Sequence, residues 1–534
     1  MSRKTRVRFA PSPTGPLHMG GVRTALYNYL FAKQRGGDFI IRIEDTDSQR
    51  FVPGAEKYII EALNWCGIVP DEGVDAAGNV VETVSERHPH APYRQSQRKP
   101  IYRQYAEQLV ENGYAYYAFD TAEELGAKRA EMEAAGQTFI YGQTTRMGLR
   151  NSLAMDEAEV KELLETRTDW TIRFKMPENR VVKMDDLIRG HVEVNTSTLD
   201  DKVLWKRADE LPTYHLANIV DDHLMEITEV IRGEEWLPSL PLHYLLYEAF
   251  GWTDTQPRFA HLSLLLKPDG KGKLSKRDGD RLGFPVFPLQ WVNSEGEVSR
   301  GYREDGYFPE AFVNLLAMLG WNPGTEQELF SLEELVQAFS LERVIKSGAR
   351  FNADKAKWFN KEYLRMKNVA DLAGAYIPVL EEKGITVSES EAVESDFASK
   401  TFSRGYVEKI VALIQERATF VADFWEIAPY LFVAPSTFVE KDAAKFWKEE
   451  NYTLALQVAD FILNFEGEFT KEALEGPLEE YIRGNEWPMG KVMNCLRLAM
   501  VGGSNGLGIA DIVTLVGKEE FAKRIDFIKA TLGC

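Results

Sequence analysis

The feature that most restricts the fold is the start of the chain, where a short apolar strand runs into a proline- and glycine-rich loop and then a helix. The stretch RVRFAPSPTGPLHMGGVRTALYNYL, residues 6–30, holds three prolines, one histidine and a Gly-Gly pair in that loop. Prolines stiffen such a loop, and glycines let a ligand approach the backbone closely. A helix N-terminus adds unpaired N–H groups and partial positive charge, which favour phosphate. We therefore predict a phosphate-binding loop, with a plain strand-to-helix turn as the alternative.

The segments that follow predict the fold class. A second apolar strand, DFIIRIEDTD, begins at Asp38 and ends in a group of carboxylates. Strand, glycine-rich loop, helix and strand in this order predict an α/β fold with a doubly wound, Rossmann-like parallel sheet, whose ligands bind beyond the carboxyl ends of the strands. A charged, helix-rich insertion occupies residues 101–207, after which TYHLANIVDDHLMEITEVIRGEEW resumes the α/β pattern. Amphipathic helices dominate after Tyr307 and predict an all-α C-terminal region.

Composition limits the classes of function. The 534 residues exceed what one hydrophobic core holds, so several domains are expected. A net charge of −19 argues against binding nucleic acid by overall charge, although a local basic path is compatible with it. The three cysteines form no CxxC pair, which indicates neither a disulfide framework nor a thiolate zinc site. No apolar run is long enough for a bilayer span or a signal peptide, and we predict a cytoplasmic protein with no membrane role.

One loop is basic in this acidic chain. LSLLLKPDGKGKLSKRDGDR, residues 262–281, carries six lysines and arginines against three aspartates. Mobile cations of this kind can close over a leaving pyrophosphate and neutralise charge that develops in a transition state. A solvated surface loop is the alternative.

Together, the two loops resemble those of the class I aminoacyl-tRNA synthetases. The segments FAPSPTGPLHMGG, RIEDTD, TYHLANIVDDH, VIRGEEW and KLSKR, in this order within residues 6–281, resemble the bacterial glutamyl-tRNA synthetase family. The helical remainder, with stretches such as RFNADKAKWFNKEYL, is similar to the anticodon-binding region of that family. The resemblance implies a ligase that activates L-glutamate with ATP and passes the glutamyl group to the terminal ribose of tRNA-Glu.

The resemblance also implies how ATP, accompanied by Mg²⁺, is held. His18, Lys273 and Lys276 would be the catalytic residues, acting by positioning and charge stabilisation because neither step needs a protein nucleophile. Trp236 would lie near the adenosine. The ATP-binding residues implied by the matching motifs are Thr14, His18, Gly20, Gly21, Trp236, Lys273, Leu274, Ser275, Lys276 and Arg277.

Glutamate carries one ammonium and two carboxylates, so its pocket needs an anion and several donors. Glu44 matches the family's partner for the ammonium, whereas a structural turn is the alternative for its neighbours Asp45 and Asp47. Arg232 stands in VIRGEEW where glutaminyl enzymes have a neutral residue, and we predict that it selects glutamate. A surface pair with Glu234 or Glu235 is the alternative for Arg232. The other implied substrate contacts are Arg8, Ala10, Ser12, Tyr214 and Asn218.

Some features depart from the family. Gly21 stands where class I enzymes commonly have a second histidine, a difference that glutamyl enzymes often share. The cysteine-rich zinc knuckle of many bacterial relatives is replaced by NGYAYYAFDTAEEL, residues 112–125, so we predict no zinc and no other metal site. His88 and His90 indicate a surface loop rather than a metal site, because no third ligand is near in sequence. Residues 282–305 look longer than the usual link and have no function that the sequence indicates.

The changes of pattern predict the domain boundaries. A catalytic domain in two halves, 1–107 and 211–265, surrounds an inserted α+β domain at 108–210 that binds the tRNA acceptor end. A stem-contact region with the KLSKR loop follows at 266–345, and two helical anticodon-binding subdomains follow at 346–425 and 426–534. We expect a monomer whose partners are tRNA-Glu, L-glutamate and ATP. The sequence leaves open whether tRNA-Gln is also charged.

Three other functions stay open at this stage. A glutaminyl-tRNA synthetase has the same fold. A nucleotidylyltransferase without an RNA substrate shares the phosphate loops but has no need for the long helical region. A catalytically silent tRNA-binding protein would keep the helical region and lose His18, Lys273 and Lys276, all of which are present.

Overall fold

The computed structural model describes residues 3–390 and 394–533. The chain divides into two units, with the boundary between Ala356 and Lys357. The first unit contains the α/β part, and the second is largely helical, as predicted for the C-terminal region. The finer six-part division of the domains stays a prediction.

The first unit combines strands and helices in the order expected for an α/β fold with an insertion. Its strands are β1 (Arg6–Phe9), β2 (Asp38–Ile41), β3 (Ala115–Ala118), β4 (Thr171–Phe174), β5 (Val181–Asp186), β6 (Gly190–Asn195), β7 (Val203–Lys206), β8 (Leu211–Pro212), β9 (Glu229–Gly233), β10 (Arg258–Leu262), β11 (Leu265–Leu266), β12 (Trp291–Val292), β13 (Val298–Ser299) and β14 (Ala349–Arg350). Its helices are α1 (Met19–Gln34), α2 (Ala55–Trp65), α3 (Lys99–Glu111), α4 (Ala122–Ala134), α5 (Glu157–Thr166), α6 (Tyr214–Leu224), α7 (Leu240–Ala249), α8 (Lys276–Leu282), α9 (Pro309–Met318) and α10 (Leu332–Ala338), and α11 (Ala353–Met366) contains the unit boundary.

Parallel strands form the centre of this unit. β1 pairs with β2 along its length, from Arg6 opposite Asp38 to Phe9 opposite Ile41. β9 and β10 pair in the same parallel sense, and the N–H of Thr228, just before β9, donates to the carbonyl of Arg6 at 2.9 Å. β1 is buried at every residue, as expected for a parallel strand covered on both faces. The predicted doubly wound α/β class is therefore confirmed.

The insertion contributes a hairpin to the sheet that contains β9 and β10, which is separate from the two-stranded sheet of β1 and β2. β5 and β6 pair with each other in antiparallel fashion, and β5 joins β10 in parallel where Asp186 lies opposite Phe259. The sheet order is thus β6-β5-β10-β9. The remainder of the insertion has a sheet of its own, antiparallel and ordered β3-β4-β7-β8. The inserted segment therefore pairs directly with β10 through β5.

Aromatic side chains pack together in the insertion, around strand β3. Tyr116 is buried, and its hydroxyl donates to Asp201 at 2.5 Å. Tyr117 packs edge-on against Trp170 with ring centroids 5.2 Å apart, and Trp170 in turn packs against Trp205 at 5.4 Å. Apolar burial and buried hydrogen bonds stabilise this region in the way that a structural metal stabilises small domains elsewhere.

The additional residues after the KLSKR loop support the opening loop. We call residues 284–302 the brace segment. Within it, the carbonyl of Val286 accepts a hydrogen bond from the N–H of Met19 at 2.8 Å. The ring of Phe287 lies edge-on to His18 with centroids 6.0 Å apart. The brace segment thus holds the start of α1, a role that the sequence did not indicate.

In its described residues, the second unit is a set of helices with one small sheet. Its helices are α12 (Val369–Glu382), α13 (Arg404–Ile414), α14 (Asp423–Ile427), α15 (Glu440–Phe446), α16 (Glu449–Leu463), α17 (Lys471–Gly484), α18 (Met489–Val501) and α19 (Ile509–Leu532). Strands β15 (Thr386–Ser388), β16 (Ser395–Asp396) and β17 (Thr401–Ser403) form a sheet of order β15-β17-β16 that the helical patterns did not predict. Buried Arg524 fastens this unit by donating to the carbonyls of Tyr430 and Met500 at 2.8 and 2.9 Å.

Candidate functional site

A cavity of about 580 Å³ lies beyond the carboxyl ends of the parallel strands of the first unit. All the predicted substrate-contacting residues line it, namely Arg8, Ala10, Ser12, Glu44, Tyr214, Asn218 and Arg232. Most of the predicted ATP-binding residues line it as well, namely His18, Gly20, Gly21, Trp236, Lys273, Leu274 and Ser275. The structure therefore brings both predicted groups to one cavity, although their individual roles stay predictions.

Buried charges surround the end of the cavity that Arg8 and Glu44 line. Arg8 donates to both carboxylate oxygens of Asp222, at 2.9 and 3.2 Å. Arg42 donates to Asp222 at 2.8 Å and to Glu44 at 3.1 Å. Burial acts to raise the pKa of Asp222, but Arg8 and Arg42 outweigh it and lower that pKa. The charge of Arg8 is thus already balanced by a carboxylate of the protein.

Glu44 lies at the same end of the cavity, but its pKa is raised whereas that of Asp222 is lowered. It is 8% exposed, and burial raises the pKa of its carboxyl group, an effect that Arg42 and Arg8 oppose. Asn218 lies beside it and, in the amide orientation that satisfies both its ends, accepts from Arg8 at 3.1 Å and donates to Asp222 at 3.3 Å. An incoming ammonium group would relieve the burial cost of the Glu44 carboxylate.

Arg232 is a buried cation that is held by neutral groups. It is 5% exposed and donates to the hydroxyl of Tyr214 at 2.8 Å and to Nε2 of His261 at 3.0 Å. Its other acceptors are Nδ1 of His243 at 3.2 Å and the carbonyl of Trp236 at 3.4 Å. Burial lowers the pKa of both His243 and His261. In the part of the chain that the structure describes, no carboxylate makes an ion pair with Arg232.

The surface pair considered for Arg232 is therefore not formed. Glu234 instead pairs with Arg189 and accepts from the N–H of Leu264 at 2.9 Å. Glu235 lies on the cavity wall. Arg232 is consequently directed to the cavity rather than to the carboxylates that follow it in sequence.

His18 caps helix α1 and lines the cavity. Its Nδ1 accepts from the N–H of Gly20 at 3.1 Å, so in the neutral ring the proton lies on Nε2. Among the described residues, Nε2 has no hydrogen-bond partner. Burial, aided by Lys273, lowers the pKa of His18 to about 4. His18 is thus a neutral donor at physiological pH.

The N–H groups at the start of α1 are used within the protein. The N–H of Met19 donates to Val286, that of Gly20 to the His18 ring, and that of Gly21 to the carbonyl of His18 at 2.8 Å. The expectation of unpaired N–H groups at this helix start is therefore wrong for these three residues. In this loop, the described ring N–H of His18 is left without a hydrogen-bond partner.

The basic loop forms a short hairpin followed by a helix. Lys273 pairs with Leu266 in antiparallel fashion, and the N–H of Leu274 donates to Leu265 at 2.8 Å. Helix α8 then begins at Lys276, where Ser275 and Asp278 form a capping box. Lys273 reaches the cavity, whereas Lys276 and Arg277 lie in the first turn of α8 and outside the cavity lining, so their predicted contacts with ATP stay predictions.

Further residues line the cavity that the sequence did not indicate. They are Phe9, Arg23, Thr24, Ile231, Gly233, Glu235, Ser263, Leu264 and Leu265. Arg23 is buried and donates to the carbonyls of Leu319, at 2.9 Å, and of Ser263. A basic residue on the buried face of α1 was the available signal for Arg23. The stretch from Ser263 to Leu265 is apolar and gave no signal.

A second cavity of about 430 Å³ adjoins the first and shares Ser12, Glu44, Tyr214 and Trp236 with it. Thr14, predicted to bind ATP, lines this second cavity and not the first. The remaining lining residues are Thr46, Asp47, Gln49, Arg50, Gln95, Lys206, Asp209, Leu211, Pro212 and Thr213. The two cavities therefore meet at the end of the main cavity that Glu44 lines.

The carboxylates after Glu44 have structural partners. Asp47 accepts from the N–H of Arg50 at 3.3 Å and caps a short helix. Asp45 accepts from the N–H and the hydroxyl of Ser96 at 2.8 and 2.6 Å. The structure therefore supports the alternative for Asp45 and Asp47, a structural turn.

The described residues show neither a cluster of metal-binding side chains nor a helix that could cross a membrane. His88 is 6% exposed and accepts from the N–H of Gly73 at 3.3 Å, so the surface-loop interpretation is wrong for His88. Residues 3–390 and 394–533 contain no cluster of three or more His, Cys, Asp and Glu side chains that could hold a metal ion. None of their helices is long and apolar enough to cross a membrane.

Comparison with known proteins agrees with this geometry. Residues 4–358 match the family model described as tRNA synthetases class I (E and Q), catalytic domain, and residues 368–529 match an anticodon binding domain. The chain therefore belongs to the class I tRNA synthetases of the glutamate and glutamine group, a family of enzymes.

Two relatives that match nearly the whole chain are glutamate–tRNA ligases. The glutamate–tRNA ligase of Parabacteroides distasonis is 53% identical over 98% of both chains, and that of Christiangramia forsetii is 53% identical over 100% of both. Among solved structures, a glutamate tRNA ligase from Elizabethkingia meningosepticum in complex with its amino acid superposes with a TM-score of 0.91. That protein is 51% identical, over 99% of this chain and 100% of its own.

Proposed function

We propose that this chain charges tRNA-Glu: it activates L-glutamate with ATP and transfers the glutamyl group to the 3′ end of the tRNA. The observation that carries the proposal is Arg232, a buried cation on the cavity wall whose hydrogen-bond partners are neutral. A buried charge is costly unless it is paired, so a carboxylate of the substrate is the expected partner. The 53% identity to glutamate–tRNA ligases over nearly the whole chain supports the same substrate.

Each end of glutamate has a suitable partner in the cavity. The ammonium group meets Glu44, whose burial favours an added positive charge. The side-chain carboxylate meets the guanidinium of Arg232, which is suited to a bidentate pair. Glutamine would turn an NH₂ group towards a residue that only donates, which leaves a donor unsatisfied in a buried site. Ala10, Ser12, Tyr214 and Asn218 complete the wall of this pocket.

In the first step, an oxygen of the glutamate α-carboxylate attacks the α-phosphorus of ATP. The bond from that phosphorus to the oxygen bridging the α- and β-phosphates breaks, and pyrophosphate leaves with the electron pair. The Nε2–H of His18 donates to a phosphate oxygen, and Lys273 adds positive charge at the same wall. Because charge grows on the leaving pyrophosphate, preorganised donors of this kind stabilise the transition state more than the ground state.

In the second step, a hydroxyl of the terminal ribose attacks the carbonyl carbon of the glutamyl adenylate, and AMP leaves. We propose that the acceptor end reaches this carbon through the second cavity, which shares Ser12, Glu44, Tyr214 and Trp236 with the first. Lys206 and Arg50 on its wall supply positive charge for the backbone of the tRNA.

We further propose a cytoplasmic monomer that takes ATP as its Mg²⁺ complex and needs no zinc. Cys66 and Cys495 are free and buried, which suits a reducing compartment. Since the described residues bring no three metal-binding side chains together, the phosphate oxygens are the expected ligands of Mg²⁺. Gel filtration with light scattering measures the oligomeric state.

The test is ATP–pyrophosphate exchange by the purified protein with glutamate or glutamine, with and without tRNA, together with direct charging of tRNA-Glu. We expect exchange and charging with glutamate only, and exchange only when tRNA is present. A preference for glutamine would indicate a glutaminyl enzyme. Exchange without any charging would indicate a nucleotidylyltransferase, and tRNA binding without either activity would indicate a silent binding protein.

A further inference from the structure

The buried pair Asp186–His261 lies behind Arg232 and outside the cavity lining. His261 is 0% and Asp186 is 4% exposed. Nδ1 of His261 lies 2.6 Å from Oδ2 of Asp186, and Nε2 of the same ring accepts from Nε of Arg232 at 3.0 Å. The three side chains therefore form one line of hydrogen bonds that ends at the cavity.

The hydrogen-bond pattern fixes the protonation of the His261 ring. Arginine only donates, so Nε2 must carry the lone pair and Nδ1 must carry the proton. The Asp186 carboxylate accepts that proton's hydrogen bond with Oδ2. Its other oxygen, Oδ1, accepts from the N–H groups of Ile188 and Arg189 at 2.9 and 2.7 Å, and from that of His261 at 3.3 Å. The carboxylate thus has its orientation set by the turn that follows β5.

We propose that Asp186 and His261 are positioning residues for glutamate recognition, which rests on the proposed function of Arg232. The pair holds the Nε side of the guanidinium through a neutral ring. A carboxylate in direct contact with Arg232 would fix it equally well but would compete with the substrate for its charge. The imidazole orients the guanidinium. Asp186, the next side chain in the line of hydrogen bonds, keeps the imidazole in the tautomer that accepts from Arg232. The guanidinium therefore keeps its charge available for the side-chain carboxylate of glutamate.

Two replacements of His261 separate the accepting atom from the ring. In H261Q the side-chain amide reaches the place of Nε2 and offers an oxygen to Arg232. In H261N the amide reaches only the place of Nδ1, so it can donate to Asp186 but offers nothing to Arg232. We expect H261N to raise KM for glutamate about 10- to 100-fold, the range for one lost hydrogen bond to a charged group. H261Q should stay within a few-fold of the wild type.

D186N tests the tautomer with the ring in place. The amide oxygen of the asparagine will stay with the three backbone N–H groups that Oδ1 now satisfies, so its NH₂ group faces Nδ1 of His261. The ring then moves its proton to Nε2, where it meets the N–H of Arg232. We expect D186N to weaken glutamate binding as much as H261N does, and to reduce the preference for glutamate over glutamine, both measured by exchange in the presence of tRNA.

The readouts distinguish positioning from general damage. KM for ATP should stay near wild type in H261Q and D186N, because the ATP end of the cavity is not altered. H88N is the matched control for losing a buried histidine in the same unit, and its KM for glutamate should not change. If H261N fails to fold, D186N, which retains the imidazole, decides.

The inference is overturned if H261N or D186N keeps wild-type KM and selectivity for glutamate, or if H261Q is as impaired as H261N. Measuring the same preference in the variant R232M separates this outcome from failure of the proposed function. If R232M loses the preference for glutamate while the Asp186 and His261 variants keep it, only the inference fails. If the wild type does not activate glutamate, the proposed function itself fails.

Discussion

At the scale of single residues, two arginines reach the same cavity with different electrostatic surroundings. Arg8 makes a bidentate pair with Asp222, so a substrate carboxylate gains little extra from its charge. Arg232 is equally buried but has neutral partners among the described residues. A buried charge that no protein carboxylate compensates is the stronger recognition element, because its attraction for a substrate carboxylate is not already spent on an internal ion pair.

We therefore predict that Arg232→Met abolishes the choice between glutamate and glutamine. Loss of a buried charge pair costs about 2–5 kcal/mol, roughly 30- to several-thousand-fold in kcat/KM for glutamate. The value for glutamine should change much less. Arg180→Met is the control, since Arg180 pairs with Glu248 on the surface. Intact discrimination in Arg232→Met would shift the search for the selector to Arg8 or to the tRNA.

A second prediction at this scale concerns acid stability. Burial lowers the pKa of His18 and of His215 to about 4, helped by Lys273 and Lys202 respectively. In the unfolded chain these histidines titrate at about 6.5, so between pH 6.5 and 4 the unfolded state binds more protons. The free energy of unfolding should consequently fall as the pH drops through this window and be unaffected by these groups above it.

Thermal midpoints at pH 7.5 and pH 5 measure the effect. His215→Gln should show a smaller acid-induced drop than the wild type. His191→Gln is the control of opposite sign, because Asp185 and Glu193 raise the pKa of this exposed histidine. An equal drop in the wild type and in His215→Gln would contradict the assignment to His215.

At the scale of elements, helix α8 carries the end of the basic loop. Lys276 is its first residue and stands outside the cavity lining in this structure. If it meets the leaving pyrophosphate, the loop must approach the phosphates during the reaction, as mobile loops do in many enzymes. The charge of Lys276 would then act mainly in the transition state.

We predict that Lys276→Ala lowers kcat by about 10²–10³-fold with a much smaller change in KM for ATP, since one electrostatic donor is lost where charge develops. Steady-state aminoacylation measures both constants. Arg281→Ala removes an exposed cation from the last turn of the same helix and should leave kcat unchanged. An unchanged kcat in Lys276→Ala would make KLSKR a solvated surface loop.

The brace segment, residues 284–302, is a second element with a testable role. The Tyr58 hydroxyl donates to the carbonyl of Leu289 and accepts from its N–H at 3.1 Å, which ties the segment to α2. We predict that Tyr58→Phe loosens the contact with Met19 and raises KM for ATP by about 5-fold, since a neutral hydrogen bond contributes about 1 kcal/mol. Tyr105→Phe, on α3, is the control, and an unchanged KM for ATP in Tyr58→Phe would leave the brace segment without a role in the site.

At the scale of the whole molecule, the inserted region is stabilised by an aromatic core. Tyr116, Trp170 and Trp205 are buried there together. We predict that the purified protein holds no stoichiometric zinc and keeps full charging activity after treatment with a chelator, provided that Mg²⁺ is in excess. Elemental analysis and aminoacylation measure this, and omission of Mg²⁺ is the control that should abolish activity. One zinc per chain would contradict the prediction.

Much of the site could be predicted from sequence because its motifs are local. The order of strand, proline-rich loop and helix depends on residues close along the chain, and the His18 that it indicated lines the cavity. Glu44 and Arg232 each follow an apolar strand, and the carboxyl ends of parallel strands meet at one edge. For this reason the predicted glutamate contacts all reached one cavity.

The partners of these residues were decided by the tertiary structure. Arg232 contacts His261, and His261 contacts Asp186, 75 residues earlier in a hairpin of the insertion. The carbonyl of Val286, in the brace segment, accepts from the N–H of Met19, which the sequence pattern predicted to be unpaired. Sequence patterns report which side chains are available and which face of an element is buried. The balance of buried charge and the tautomer of each histidine depend instead on strand order, because only the folded sheet brings groups far apart in the chain within hydrogen-bond distance.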